Sequence, residues 1–70
     1  MTDRQRDVFE LVLTGLTNSE IAGRLHLSPL TVRDYVSRLL AKFGTRNRSA
    51  LIITVTAIRR TYHRRLRPPS

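Results

Sequence analysis

Between Ser28 and Gly44 the apolar positions of the chain recur at helical spacing. At about 100° per residue, with Val32 at zero, Val36, Leu39 and Phe43 fall within about 40° of it. Leu40 and Tyr35 take the flanks. Leu30, Asp34, Ser37 and Ala41 lie opposite, with Arg33 on one shoulder and Thr31, Arg38 and Lys42 on the other. The ends of the stretch are marked as well. Ser28 suits an N-cap, Pro29 suits the first helical position, and Gly44 suits the residue past the end. The pattern predicts a helix over 29–43.

The same reading predicts three more helices, at about 3–14, 18–25 and 47–62. Thr2 with Gln5, and Thr17 with Glu20, have the spacing of capping boxes, in which side chain and backbone satisfy each other's orphan groups. Asp3 and Asp7 suit the positive end of the first helix, and Gly15 stops it. Asn47 caps the last. Its centre, "LIITVTAI", is β-branched enough to pass for a strand, but no partner strand exists. Leu51, Val55, Ile58 and Tyr62 also fall on one helical stripe, so Leu51, Val55 and Ile58 are expected to complete the core. The expected fold class is all-α, a compact four-helix domain occupying 1–62, with 63–70 as a basic, flexible tail.

The middle helices read as a helix-turn-helix. Ile21 and Leu25 form the inner face of the second helix, Ala22 is small where the third must cross, and Leu27 plugs the turn. His26 occupies a turn position that favours positive φ, which histidine tolerates better than most residues.

Charge gives this architecture a partner. The chain of 70 residues carries thirteen Lys+Arg against five Asp+Glu, a formal net charge of +8. Twelve of the thirteen are arginine, the side chain suited to forked contacts with phosphate and guanine. Such a balance on one small domain is the electrostatic footprint of a nucleic-acid binder. There is no cysteine and only two histidines, His26 and His63, so no metal or cofactor is expected. No nucleophile–base constellation and no glycine-rich phosphate loop is present, which argues against an enzyme. No apolar run approaches the ~20 residues of a membrane span, and the start lacks a signal-peptide core, so a cytoplasmic protein is expected.

Residues 1–51, "MTDRQRDVFELVLTGLTNSEIAGRLHLSPLTVRDYVSRLLAKFGTRNRSAL", resemble the DNA-binding domain of the LuxR/NarL/FixJ (GerE-type) family. "GLTNSEIAGRLHLS" followed by "TVR" carries most of the likeness. The family's usual lysine is here Arg33, its histidine is Tyr35, and its Leu-Gly-Val is Phe43-Gly44-Thr45. The resemblance implies the output domain of a bacterial transcription regulator, such as a two-component response regulator, acting at the nucleoid. Double-stranded DNA carrying a roughly palindromic site would be its partner. A receiver or sensor domain outside this chain, and RNA polymerase, are further implied partners.

The resemblance places base contacts on Arg33, Asp34 and Ser37, the face that the helical wheel turns outward. Arg33 could fork onto guanine. Asp34 either accepts from a cytosine amine or orients Arg33 or Arg38, and Ser37 suits a water-mediated contact. Phosphate contacts are implied at Asn18 and Thr31. Charge and position add Ser28, Arg38, Lys42, Arg46 and Arg48. Arg48 has an equal competing role, support of the entry to the fourth helix.

The fourth helix is apolar on more than one side, which leaves Ile52, Ile53 and Ala57 for a second partner. The family implies a weak homodimer on DNA there; packing against a domain outside the chain is the alternative. The five arginines between Arg59 and Arg67 either follow the DNA backbone or are solvated. A different class remains open: a protein-interaction module, similar to sigma region 4, whose basic face binds a protein.

Overall fold

The computed structural model describes residues 1–66, and side chains as far as His63. The four helices are α1 (Asp3–Leu13), α2 (Asn18–Leu25), α3 (Pro29–Lys42) and α4 (Arg48–Leu66). No strand occurs among the described residues, so the all-α expectation holds. None of these helices is long and apolar enough to cross a membrane.

Local chemistry sets the boundaries. Thr2 accepts from the Gln5 amide while Gln5 accepts from the Thr2 amide, at 3.2 and 3.0 Å. Thr17 and Glu20 repeat the arrangement at the start of α2. Ser28 accepts from the Thr31 amide at 3.1 Å, and Pro29 opens α3 where its missing N–H costs nothing. Asn47 accepts from the Ala50 amide at 2.8 Å, which puts it at the cap of α4. At the C-terminal ends, Gly15 has φ +88° and Gly44 has φ +65°, conformations that a side chain would strain. His26 ends α2 in the left-handed region at φ 56°, ψ 43°, as expected for the turn.

The core is one cluster drawn from all four helices: Val8, Phe9 and Val12; Ile21 and Ala22; Val32, Val36 and Leu39; Leu51 and Val55. Every one of the ten is apolar, and among the described residues no buried side-chain polar atom lacks a partner. Phe9 and Phe43 stack at its edge, with ring centroids 5.4 Å apart and planes 1° from parallel. Arg59 covers the other face of this region. Its guanidinium lies 5.5 Å from the Phe9 ring centroid and pairs with Glu10 at 2.6 Å.

Two expectations about α4 need correction. Ile58 does not join the core: it is 56% exposed, and Tyr62, on the same stripe, is 62% exposed. At this level of α4 it is the neighbouring Arg59 that meets α1, pairing with Glu10 and lying over the Phe9 ring, and Ile58 is left outside the core. The helix also continues past residue 62, through His63, to Leu66. A boundary at residue 62 therefore falls inside α4, and the expected flexibility of 67–70 lies outside the described residues.

Candidate nucleic-acid interface

The outward face of α3 is built by burying its opposite side. Val32, Val36 and Leu39 are in the core, and Leu40, Tyr35 and Phe43 are half-buried around it. That fixes the rotation of the helix. Arg33, Asp34, Ser37, Arg38, Ala41 and Lys42 are consequently all exposed, as is Leu30 near the N-terminal end. All three residues expected at base edges therefore lie on one accessible surface.

Charge on this surface is uncommitted. Arg33, Arg38, Lys42 and Arg46 make no ion pair or side-chain hydrogen bond among the described residues. Asp34 pairs with neither Arg33 nor Arg38 there, so the expected orienting contact is not preformed. A helix presenting unpaired arginines beside short side chains can enter a groove about 12 Å wide and direct forked donors at its floor and walls.

The N-terminus of α3 adds neutral donors. Ser28 and Thr31 hydroxyls lie 2.9 Å apart, with Ser28 also holding the Thr31 amide. Thr31 is half-buried and Ser28 exposed. With the positive end of the helix dipole behind them, these hydroxyls suit an anionic oxygen.

Asn18 and Arg48, both expected at phosphates, meet each other. One Arg48 nitrogen, Nη1, donates to Asn18 Oδ1, and the other, Nη2, donates to the Leu16 carbonyl. The guanidinium thereby ties the start of α4 to the connection between α1 and α2. Burial lowers its pKa from the usual arginine range. The Asn18 amide nitrogen keeps its donors, whereas both named Arg48 nitrogens are engaged. Of the two roles open to Arg48, this geometry is the structural one. Sequence reasoning could not find the Leu16 carbonyl, because a backbone acceptor leaves no residue-type signal.

The three residues expected to pair on α4 differ in exposure. Ile53 is 69% exposed and Ala57 is exposed, but Ile52 is half-buried and packs against the core. Two shallow concavities meet at Ala57. One, of 390 Å³, is lined by Ala57, Ile58, Thr61 and Tyr62; the other, of 410 Å³, by Ile52, Ile53, Thr56, Ala57 and Arg60.

Over most of its length the chain is similar to known proteins. Residues 1–55 match the family described as bacterial regulatory proteins, luxR family. The chain is 42% identical over 69 residues to the DNA-binding transcriptional activator DevR/DosR of Mycobacterium tuberculosis, covering 99% of this chain and 30% of that protein. It is 40% identical over 53 residues to the spore germination protein GerE of Bacillus subtilis, covering 76% of this chain and 72% of the relative. With the response regulator Rre1 of Synechocystis it shares 47% identity over 51 residues, covering 73% and 22%. The chain thus spans less than a third of the length of two of these relatives.

Proposed function

The chain belongs to the luxR family of bacterial regulatory proteins, and from that premise we propose that it reads a specific DNA site by placing α3 in the major groove. The observation that carries the reading is the outward face of α3, whose cations have no partner in the protein while its opposite face is locked in the core. Arg33 forks onto a guanine, a contact that discriminates by about 1–3 kcal/mol. Asp34 accepts from a cytosine amine or turns an arginine toward its base, and Ser37 bonds through water. Asn18, Ser28, Thr31, Arg38, Lys42 and Arg46 set the register on phosphates.

Two copies pair weakly through α4, with Ile53 and Ala57 at the contact and the flanking concavities supplying shape. Their recognition helices then meet successive major grooves of a roughly palindromic site. In the cell the unit acts as the output domain of a transcription regulator, and its switch resides in a receiver or sensor domain. RNA polymerase is the downstream partner, and the cytoplasm is where it works.

The test is duplex selection from a randomised pool at about 150 mM salt, with Arg33→Ala alongside. The expected result is a roughly palindromic site that the variant relaxes at one guanine per half-site. Equal binding of every duplex by both proteins, lost as salt rises, would leave only the electrostatic attraction and overturn the groove reading.

A further inference from the structure

Leu30 is the one large apolar side chain exposed on the outward face of α3. A single exposed leucine is ordinary on a protein surface and carries nothing by itself. Its position changes that. It is the second residue of α3, immediately beside Thr31 and two residues after the Ser28 cap. It lies opposite Val32, Val36 and Leu39, on the side shared by Asp34 and Ser37. It is 64% exposed, so nothing in the domain covers it.

The N-terminal residues of a recognition helix are the ones that reach base edges. A leucine there has no donor or acceptor to offer. The major-groove edges of the four bases present donors, acceptors and one apolar group, the 5-methyl of thymine. An aliphatic side chain set among polar ones on such a face has a single chemical match in the groove.

We propose that Leu30 is a specificity-determining residue that packs on a thymine 5-methyl group in each half-site. This rests on the groove reading given above and adds one base to it. Ser28 and Thr31 fix the backbone of the first turn on phosphate, Pro29 stiffens it, and Leu30 is thereby delivered to the groove floor at the end of the half-site away from Ser37. Polar groups cannot replace the contact, because they would be desolvated against a methyl group without a partner. The preference is for thymine over cytosine and over uracil at one position. Its size is that of burying about one methyl group, about fourfold in affinity per half-site.

The experiment takes the duplex selected by the intact domain and replaces each thymine in turn by uracil, which removes only the 5-methyl group. Wild-type protein and Leu30→Ala are titrated on every duplex, with Arg33→Ala as a control and circular dichroism to verify helix content. The expected result is one thymine per half-site at which uracil weakens wild type about fourfold. Leu30→Ala binds the two forms of that duplex equally, while Arg33→Ala retains the difference. If uracil has no effect anywhere, or weakens Leu30→Ala as much as wild type, the assignment is overturned while the groove reading stands. If wild type selects no site at all, both fall, and that outcome is separate from the first two.

Discussion

Removing the Arg48 guanidinium should unfold the domain sooner and leave its hold on DNA phosphate unchanged. The side chain bridges Asn18 Oδ1 and the Leu16 carbonyl, joining α4 to residues thirty and thirty-two positions earlier. A hydrogen bond from a charged donor contributes ~1.5–3 kcal/mol, and half-exposure places each of these at the lower end. The pair is therefore worth about 2–3 kcal/mol. A chain of 70 residues has about 3.5–10 kcal/mol in all, so the loss is a large share of it. At 4–8 °C per kcal/mol for a domain of this size, Arg48→Met should lower the thermal midpoint by roughly 10–20 °C. Methionine keeps most of the apolar stem, which restricts the change to the fork.

On DNA the readout is a slope. Each phosphate neutralised contributes about −0.9 to the dependence of log affinity on log salt. If Arg48 holds the fold, Arg48→Met measured below its midpoint keeps the wild-type slope. A cycle with Asn18→Ala should also show coupling of about 1 kcal/mol or more, since the two side chains touch. A midpoint within about 2 °C of wild type, together with a slope shallower by about 0.9, would refute the bridge and return Arg48 to the backbone of DNA.

Four further outcomes can be checked. His26→Gly should stabilise the domain by about 0.5–1 kcal/mol in urea unfolding, and His26→Val should destabilise it by at least as much, because φ 56° strains a β-branched residue most. Hydrogen bonds from the backbone and side chain of Thr17, with Arg24 adding to them, hold the pKa of Glu20 below the ordinary glutamate value. Its stabilising contribution is thus complete above that value and lost as pH falls through the depressed one, so the midpoints of wild type and Glu20→Gln should converge only in acid. Ile53→Asp should leave the monomer fold intact and abolish cooperative binding to a two-half-site duplex in a gel-shift titration, while binding to one half-site changes little. Asp34→Asn should tighten binding to random duplex and narrow the gap between selected and random sequences, measured as the ratio of the two affinities at one salt concentration.

What was legible in the sequence was what is local. The capping boxes at Thr2 and Thr17, the Ser28–Pro29 start and the left-handed His26 each involve partners three or four residues apart, and each is in place. The rotation of α3 was legible because its apolar residues outnumber any alternative stripe. Two things were not. Periodicity places Ile58 on the inner stripe of α4 but is silent on which residue there meets α1, and it is Arg59, against Glu10 and Phe9. Arg48 was ambiguous because a cation near a basic face looks the same whether it turns outward or inward. Only the partners decide, and one of them is a backbone carbonyl.

The distribution of charge makes a case for what the sorted face is for. Of the five acids, Asp3, Asp7 and Glu10 lie on α1 and Glu20 on α2, and Asp7, Glu10 and Glu20 meet Arg4, Arg59 and the cap of α2 respectively. From Arg33 to Arg46 there are four cations and a single acid, and among the described residues none of these cations is paired. Collecting unpaired cations on one side costs self-repulsion in the free domain, a cost that contact with a polyanion removes. Asp34 is out of place in that pattern if affinity alone is the purpose. Next to phosphate its carboxylate is repelled by every duplex, whatever the sequence. At a cytosine amine, or against an arginine already seated on guanine, the same carboxylate is satisfied. An acid in the middle of a basic recognition face therefore lowers binding to the wrong sequence more than to the right one. On the groove reading proposed above, discrimination rather than tightness accounts for its presence there.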